Sequence, residues 1–161
     1  MLGGILLKLD YKQLFSVAAL FLKNPLYALP TFLATKKCLA IAQKEFGDRH
    51  NLDNPPNAFR HALWVNLIIR NCLKWKKNEE QAKKWAKTFT DWHEKFAPNK
   101  PLARTMDLHN NQVGIFYYEQ TKNLKMEDLI KFLKQTAKEA KQITDVDDTK
   151  GFKKSLVYIS K

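Results

Sequence analysis

The sequence has few of the residues that are typical of disulfide-rich, zinc-binding or turn-rich proteins. It contains two cysteines in 161 residues, Cys38 and Cys72, and neither belongs to a CxxC pair or to a histidine cluster. Their isolation argues against a disulfide framework or a cysteine zinc site and indicates two reduced, packed thiols. Five glycines and six prolines are few for an all-β protein, in which turns are frequent. A mostly helical fold is therefore expected.

Arginine and long hydrophobic runs are also scarce. Only four of the 28 basic residues are arginine, although the net charge is +12. Proteins that read nucleic acids rely on the bidentate arginine side chain, so this lysine-rich excess favours an anionic small molecule or lipid as partner over nucleic acid. The longest uncharged stretch, residues 24–35, is interrupted by two prolines, and the N-terminus lacks the pattern of a secretory signal. A cytoplasmic protein is predicted, or one exported by a route that needs no signal.

Hydrophobic periodicity and helix-ending residues predict one all-α domain over residues 1–161, with about six helices. The helices are predicted at about residues 11–23, 31–46, 55–73, 79–96, 102–121 and 126–142. Thr31, Asn54 and Asn78 are the predicted N-caps of the second, third and fourth helices. The segment SLVYIS near the end predicts a short strand. Residues 1–47 form apolar N-terminal helices, 54–121 a core that carries the polar motifs, and 126–161 a helix and tail.

The N-terminal segment LFSVAALFLKNPLYALPTFLA is apolar on almost every side of a helix. Packing in the core or against a partner is one explanation of this pattern. Contact of residues 1–35 with a membrane surface is the other.

Three segments place polar residues where a helix should be buried: NAFRHALW (57–64), DWHEKF (91–96) and MDLHNNQVG (106–114). A buried polar group without a partner costs about 1–3 kcal/mol, so these groups must meet one another, a ligand or a metal. Gly114 inside the fifth helix costs about 1 kcal/mol relative to alanine, which predicts a close approach by a neighbouring helix or a ligand. The polar residues concerned are Asn57, Arg60, His61, His93, Glu94, Asp107, Asn110 and Asn111.

Two kinds of chemistry fit this set of residues. Imidazole and carboxylate groups suit Zn, Mn or Fe, and the predicted ligands of such a divalent metal are His61, His93 and Asp107. Without a metal, the same groups supply a histidine base oriented by a carboxylate, with Arg60 beside an anionic transition state. The predicted catalytic residues are His61, His93, Glu94 and Asp107, and the predicted substrate-binding residues are Asn57, Arg60, Asn110 and Asn111.

The three motifs in this order resemble an uncharacterised all-helical bacterial domain family that is often found at the ends of secreted or polymorphic-toxin proteins. The resemblance covers about residues 54–118 and implies that the polar residues named above are signature positions, with no activity attached. The order of histidine, histidine-acid and aspartate is also similar, by analogy, to the HD phosphohydrolases, which implies phosphoester chemistry.

Two functions are compatible with these observations. The leading hypothesis is a hydrolase of a phosphoester or lipid ester that uses the His/Glu/Asp cluster, with or without a metal. The alternative is a non-catalytic helical module that binds a partner or a membrane surface and in which the polar cluster is a structural network.

Overall fold

Six α-helices make up most of the fold in the computed structural model, which describes residues 11–97 and 99–160. Short 3₁₀ turns occupy Gly47–Asn51 and Val146–Gly151. The all-α class predicted from the sequence is confirmed. The helices are α1 (Tyr11–Lys23), α2 (Pro25–Phe46), α3 (Pro55–Trp75), α4 (Glu79–Phe96), α5 (Pro101–Thr121) and α6 (Met126–Lys138), and two-residue strands β1 (Lys141–Gln142) and β2 (Val157–Tyr158) follow.

Helix α3 lies at the centre of the molecule. Every residue from Pro56 to Ile69 is buried except Arg60, which is partly exposed. The helix packs against α2, α4, α5 and α6, so neighbouring helices surround it on several sides. Both cysteines are free and buried in this core, which confirms the prediction of packed thiols. Polar side chains on α3 therefore face other protein groups rather than bulk water.

Helices α3 and α5 approach each other closely at Gly114. A Cβ atom on this residue would lie 2.9 Å from the Cα of Ala62 and 3.1 Å from its carbonyl oxygen. Both are backbone atoms that no side-chain rotation can move away. The predicted close approach of a neighbouring helix is confirmed, and the helix is α3.

Local capping fixes the start of two helices as predicted. The side chain of Asn54 accepts a hydrogen bond from the backbone N–H of Asn57 at 3.2 Å, and Asn78 accepts one from Gln81 at 2.9 Å. Each bond satisfies one of the free N–H groups in the first turn of a helix. The first turns of α3 and α4 therefore follow from the local sequence.

The predicted start of the second helix is wrong. The sequence predicts that this helix begins after Pro30 with Thr31 as the cap. Helix α2 instead begins at Pro25 and contains Pro30. Tertiary contacts stabilise the extra turn: the ring of Tyr27 lies 5.6 Å from that of Trp85, and the buried hydroxyl of Thr31 accepts a hydrogen bond from the Trp85 indole at 2.8 Å.

The predicted end of the last helix is also wrong. Helix α6 stops at Lys138 rather than Gln142, and β1 pairs in parallel with β2. The backbone N–H groups of Ile159 and Ser160 both donate to the carbonyl oxygen of Asp53 at 2.9 Å. The chain leaves the helix because pairing with β2 satisfies its backbone groups, and this places the tail against the loop that leads into α3. The strand predicted in SLVYIS is confirmed.

Helix α1 packs against the molecule on one side only. Phe21 lies with its ring 5.8 Å from Trp85 and 5.7 Å from Phe89 of α4, and Val17 is buried nearby. No helix among the described residues has the length and apolar character needed to cross a membrane. Residues 1–10, which belong to the predicted membrane-contact segment, lie outside the described residues.

Candidate functional site

His61 lies at the centre of the polar cluster, on the second turn of α3, with 3 % of its side chain exposed. Asp107 and Asn111 are one turn apart on α5 and therefore project from the same face of that helix. The Oδ1 atom of Asn111 lies 3.0 Å from His61 Nδ1, and the Oδ1 atom of Asp107 lies 3.1 Å from His61 Nε2. One turn of α5 thus brings an amide to one ring nitrogen and a carboxylate to the other.

Glu94 of α4 completes the buried part of the site. Its Oε1 atom accepts a hydrogen bond from the Asn111 amide at 3.1 Å and lies 3.7 Å from His61 Nδ1. Because the Asn111 nitrogen donates to Glu94, its oxygen faces His61 and accepts the Nδ1 proton. Asn111 therefore links the histidine to the carboxylate and holds the imidazole ring in one orientation.

The two carboxyl groups differ in electrostatic environment. Burial raises the pKa of Glu94 to about 6. Burial also acts to raise the pKa of Asp107, but the charge and hydrogen bond of His61, together with the charge of Arg60, outweigh it and lower the pKa. Asp107 is therefore ionised at neutral pH, while Glu94 exchanges its proton much closer to neutrality than an exposed glutamate does.

The two oxygens of Asp107 have different partners. Its Oδ2 atom accepts a hydrogen bond from Asn99 at 2.8 Å. Its Oδ1 atom is buried, and among the described residues its one close polar partner is His61 Nε2 at 3.1 Å. The Oδ1 atom of Asn57, one turn before His61 on α3, is also buried and makes no hydrogen bond to a described residue. Buried acceptors without a donor are uncommon and often mark a place where a ligand or ion binds.

Arg60 lies at the surface above this cluster. It is partly exposed, and its guanidinium group donates to Asn51 at 3.3 Å and to His61 Nε2 at 3.0 Å. A guanidinium group in this place can bind an anionic group that approaches His61 from solvent.

His93 is near the site but is not part of the buried cluster. Its side chain is exposed, and its ring stands nearly perpendicular to that of Trp64 at 5.0 Å. The surrounding protein atoms, together with the positive charges of His61 and Arg60, lower its pKa. A neutral His93 is therefore expected at neutral pH.

Asn110 has a different environment from its neighbour Asn111. Its side-chain amide donates to the carbonyl oxygen of Val157 and accepts from the N–H of the same residue, both at 2.9 Å. The side chain is fully buried and holds β2 against α5. Its donor and acceptor groups are thus already engaged with the backbone.

The geometry can accommodate a metal ion. Among the described residues, one group of potential ligands converges: His61, Glu94 and Asp107, with one ligand atom from each within 4.8 Å of the others. In a tetrahedral zinc site with ligands at 2.0–2.1 Å, neighbouring ligand atoms are roughly 3.3 Å apart, close to the 3.1 Å between His61 Nε2 and Asp107 Oδ1. The group contains two of the three predicted ligands, with Glu94 in the place expected for His93.

Sequence reasoning missed two polar residues of the site. Asn99 supports Asp107, and Asn51 supports Arg60. Both lie outside the α-helices, where no hydrophobic periodicity shows which way a side chain points. Their proximity to the motif helices was the only available signal.

The fold and site define an all-helical protein with a buried imidazole between two carboxyl groups. Residues 18–141 match the family described as Domain of unknown function (DUF6973), so the chain belongs to this family. The matched range includes all three polar motifs. Searches of curated proteins and of solved structures found no match.

Proposed function

We propose that this protein is a hydrolase that cleaves a phosphoester or lipid ester with an anionic group at the His61 site. The observation that carries the proposal is the buried Oδ1 atom of Asp107, which lies 3.1 Å from His61 Nε2 and has no other close polar partner among the described residues. An ionised carboxylate oxygen in that position favours a cation or a polarised water beside the imidazole.

Each residue has a role that its position supports. His61 and Asp107, with Glu94, would hold a divalent ion such as Zn, Mn or Fe, and when bound this ion would supply Lewis-acid activation of water. Asn111 keeps the His61 ring in place. In the reaction without an ion, Glu94 serves as a proton acceptor next to His61, because its raised pKa lies near the working pH.

The charge at the surface indicates the kind of substrate. Arg60 is partly exposed, and its guanidinium group lies 3.0 Å from His61 Nε2. An anionic substrate group is therefore expected to bind at Arg60, with the scissile bond near His61. A bacterial, toxin-related setting stays a prediction from the motif resemblance.

The test combines metal analysis with isosteric substitutions. Wild-type protein is loaded with Zn, Mn or Fe, dialysed and assayed for bound metal and for hydrolysis of a p-nitrophenyl phosphodiester and a p-nitrophenyl acyl ester. Asp107→Asn and His61→Gln should lower the rate about 100-fold or more, since each removes a group at the reacting centre. Asp128→Asn, on the exposed side of α6, is the matched control and should retain the full rate.

A folded wild-type protein that binds none of these metals and cleaves neither ester would contradict the proposal. In that case the cluster is a structural network, which is the alternative function stated from the sequence. Its hydrogen bonds favour this alternative, because the Asn111 amide engages both His61 and Glu94.

A further inference from the structure

Helices α1 and α2 carry an exposed apolar surface, called here the apolar face. On α1 the exposed residues Tyr11, Phe15, Ala18 and Leu22 recur every three or four positions and so form one stripe along the helix. The stripe points away from Val17, which packs inward. The large side chains of the apolar face are 40–80 % exposed and are Tyr11, Leu14, Phe15, Leu22, Leu26, Leu29, Phe32 and Leu33.

Exposed large hydrophobic side chains are concentrated on these two helices. Of the eleven large hydrophobic side chains that are exposed in the described part of the chain, eight fall within residues 11–33. The other three, Leu52, Trp75 and Val146, are single residues on separate elements. A contiguous apolar patch marks a surface that binds something, whereas isolated exposed residues need no explanation.

The charges on the same two helices indicate the partner. The two helices contain five lysines and a single acidic residue, Glu45, in the last turn of α2. Lys12, Lys23, Lys36 and Lys37 are exposed beside the apolar residues. Apolar and aromatic side chains with lysines around them are the pattern of helices that lie in the surface of an anionic bilayer. A second copy of the chain would instead bring the same positive charges face to face.

We propose that the apolar face binds the surface of a bilayer that contains anionic lipid. The helices lie in the plane of the interface, with Phe15 and Leu22 among the inserted side chains and the lysines at the level of the phosphate groups. The lysine-rich excess of the whole chain adds attraction to the same surface.

The bound orientation places the candidate site near the lipid. The side chain of Gln13 donates to the backbone oxygen of Phe96 at 3.2 Å, and the Trp92 indole donates to the Ser16 hydroxyl at 2.9 Å. Helix α1 is thereby fixed to the last turns of α4, which also carry Glu94. Together with the proposed hydrolase function, this orientation indicates that the substrate class is a membrane lipid ester with an anionic headgroup. This step alone rests on the proposed function.

The proposal is tested by co-sedimentation of the full chain with vesicles of phosphatidylcholine alone or mixed equally with phosphatidylglycerol. Wild-type protein should bind the mixed vesicles and bind the neutral vesicles more weakly. The double variant Phe15→Ser with Leu22→Ser should bind at least about tenfold more weakly, because two inserted side chains are lost. Both residues are about four-fifths exposed, so the fold should be retained, as circular dichroism would show.

Two matched controls separate the apolar face from the rest of the surface. Trp75→Ser removes an exposed aromatic residue elsewhere and should bind like wild type. The pair Lys36→Glu with Lys37→Glu should weaken binding to mixed vesicles by about tenfold or more. The same change of charge at Lys153 and Lys154, exposed residues near the tail, should weaken it clearly less.

The outcome also separates this proposal from the proposed function. His61→Gln should bind vesicles like wild type whether or not the site is catalytic, since His61 is buried and is not one of the exposed residues of the apolar face. Failure of wild type to bind mixed vesicles overturns the bilayer proposal, as does equal binding by the double serine variant. A concentration-dependent dimer that the same double variant abolishes would assign the face to a second copy and also overturn it.

Discussion

At the scale of single residues, the two carboxyl groups beside His61 have opposite pKa shifts. Burial raises the pKa of Glu94, and the charge of His61 outweighs burial to lower that of Asp107. Two carboxyl groups whose pKa values are separated by their surroundings can hold different protonation states at one pH. Such separation is common at sites of proton transfer, although buried structural networks also produce it.

The raised pKa of Glu94 predicts how stability varies with pH. In the folded chain this carboxyl holds its proton up to about pH 6, whereas in the unfolded chain the pKa is the ordinary value of 4.5. The folded state therefore binds more protons between these values, and the contribution of Glu94 to stability is lost as the pH rises through them. As the pH rises through this range, the free energy of unfolding of Glu94→Gln should increase by about 2 kcal/mol relative to that of wild type.

The measurement is urea unfolding at several pH values between 4 and 7, with a chelator present so that no metal competes for the carboxylate. The control is Glu127→Gln, an exposed substitution on α6 that removes the same charge. A difference between Glu94→Gln and wild type that does not change with pH would show that Glu94 has a solvent-like environment in the folded protein.

At the scale of elements, the spacing of α3 and α5 determines the geometry of the site. His61 is bonded to Asn111, and the residue after it, Ala62, contacts Gly114 less than one turn further along α5. The Asn66 side chain adds a hydrogen bond to the Gly114 carbonyl oxygen at 3.0 Å. The close contact thus keeps the two helices at the distance that the hydrogen bonds of His61 require.

Gly114→Ala should therefore destabilise the protein. The added methyl group meets the backbone of Ala62, and overpacking of this kind costs about 1–3 kcal/mol. Alanine recovers about 1 kcal/mol of helix propensity, so the net loss in the free energy of unfolding should be up to about 2 kcal/mol. Urea unfolding measures it, and Gly151→Ala, where no atom lies within 4 Å of the added Cβ, is the control. Unchanged stability of Gly114→Ala would show that the helices separate at little cost.

The elements also show what the sequence can predict. Asn54 and Asn78 act on N–H groups three residues away, so local sequence is sufficient to predict these caps. The helical start at Pro25 and the end of α6 depend on Trp85 and on β2, which are distant in sequence. The cost of a proline inside a helix and the helix propensities of neighbouring residues do not reveal such distant partners.

The candidate site shows the same limit. Helical periodicity placed His61, Asp107 and Asn111 on inward faces, and the structure brings them together. For α4 it predicts that His93 continues the inward line of Ala82 and Phe89, and this is wrong: His93 is exposed and the adjacent Glu94, about 100° round the helix, is buried.

At the scale of the whole molecule, both thiols report on global unfolding. Cys38 and Cys72 are at most 1 % exposed, and burial raises the pKa of each to about 12. A reagent that attacks the thiolate should therefore react only when the core opens.

The expected result is that thiol labelling of native protein is slow and that its urea dependence follows the unfolding transition seen by circular dichroism. Ser160→Cys supplies an exposed thiol as the control and should react at once. Rapid labelling of either native cysteine without urea would reveal local opening of α2 or α3.

The tail connects the end of the described chain to the beginning of the site helix. Ser160 is bonded to Asp53, 107 residues earlier, and Asn110 holds Val157 in place. During synthesis the N-terminal part of a chain emerges first. The loop that leads into α3 and carries Asn51 therefore lacks its anchor until residue 160 has left the ribosome, so the site is completed late in synthesis, well after the helix that carries His61 has been made.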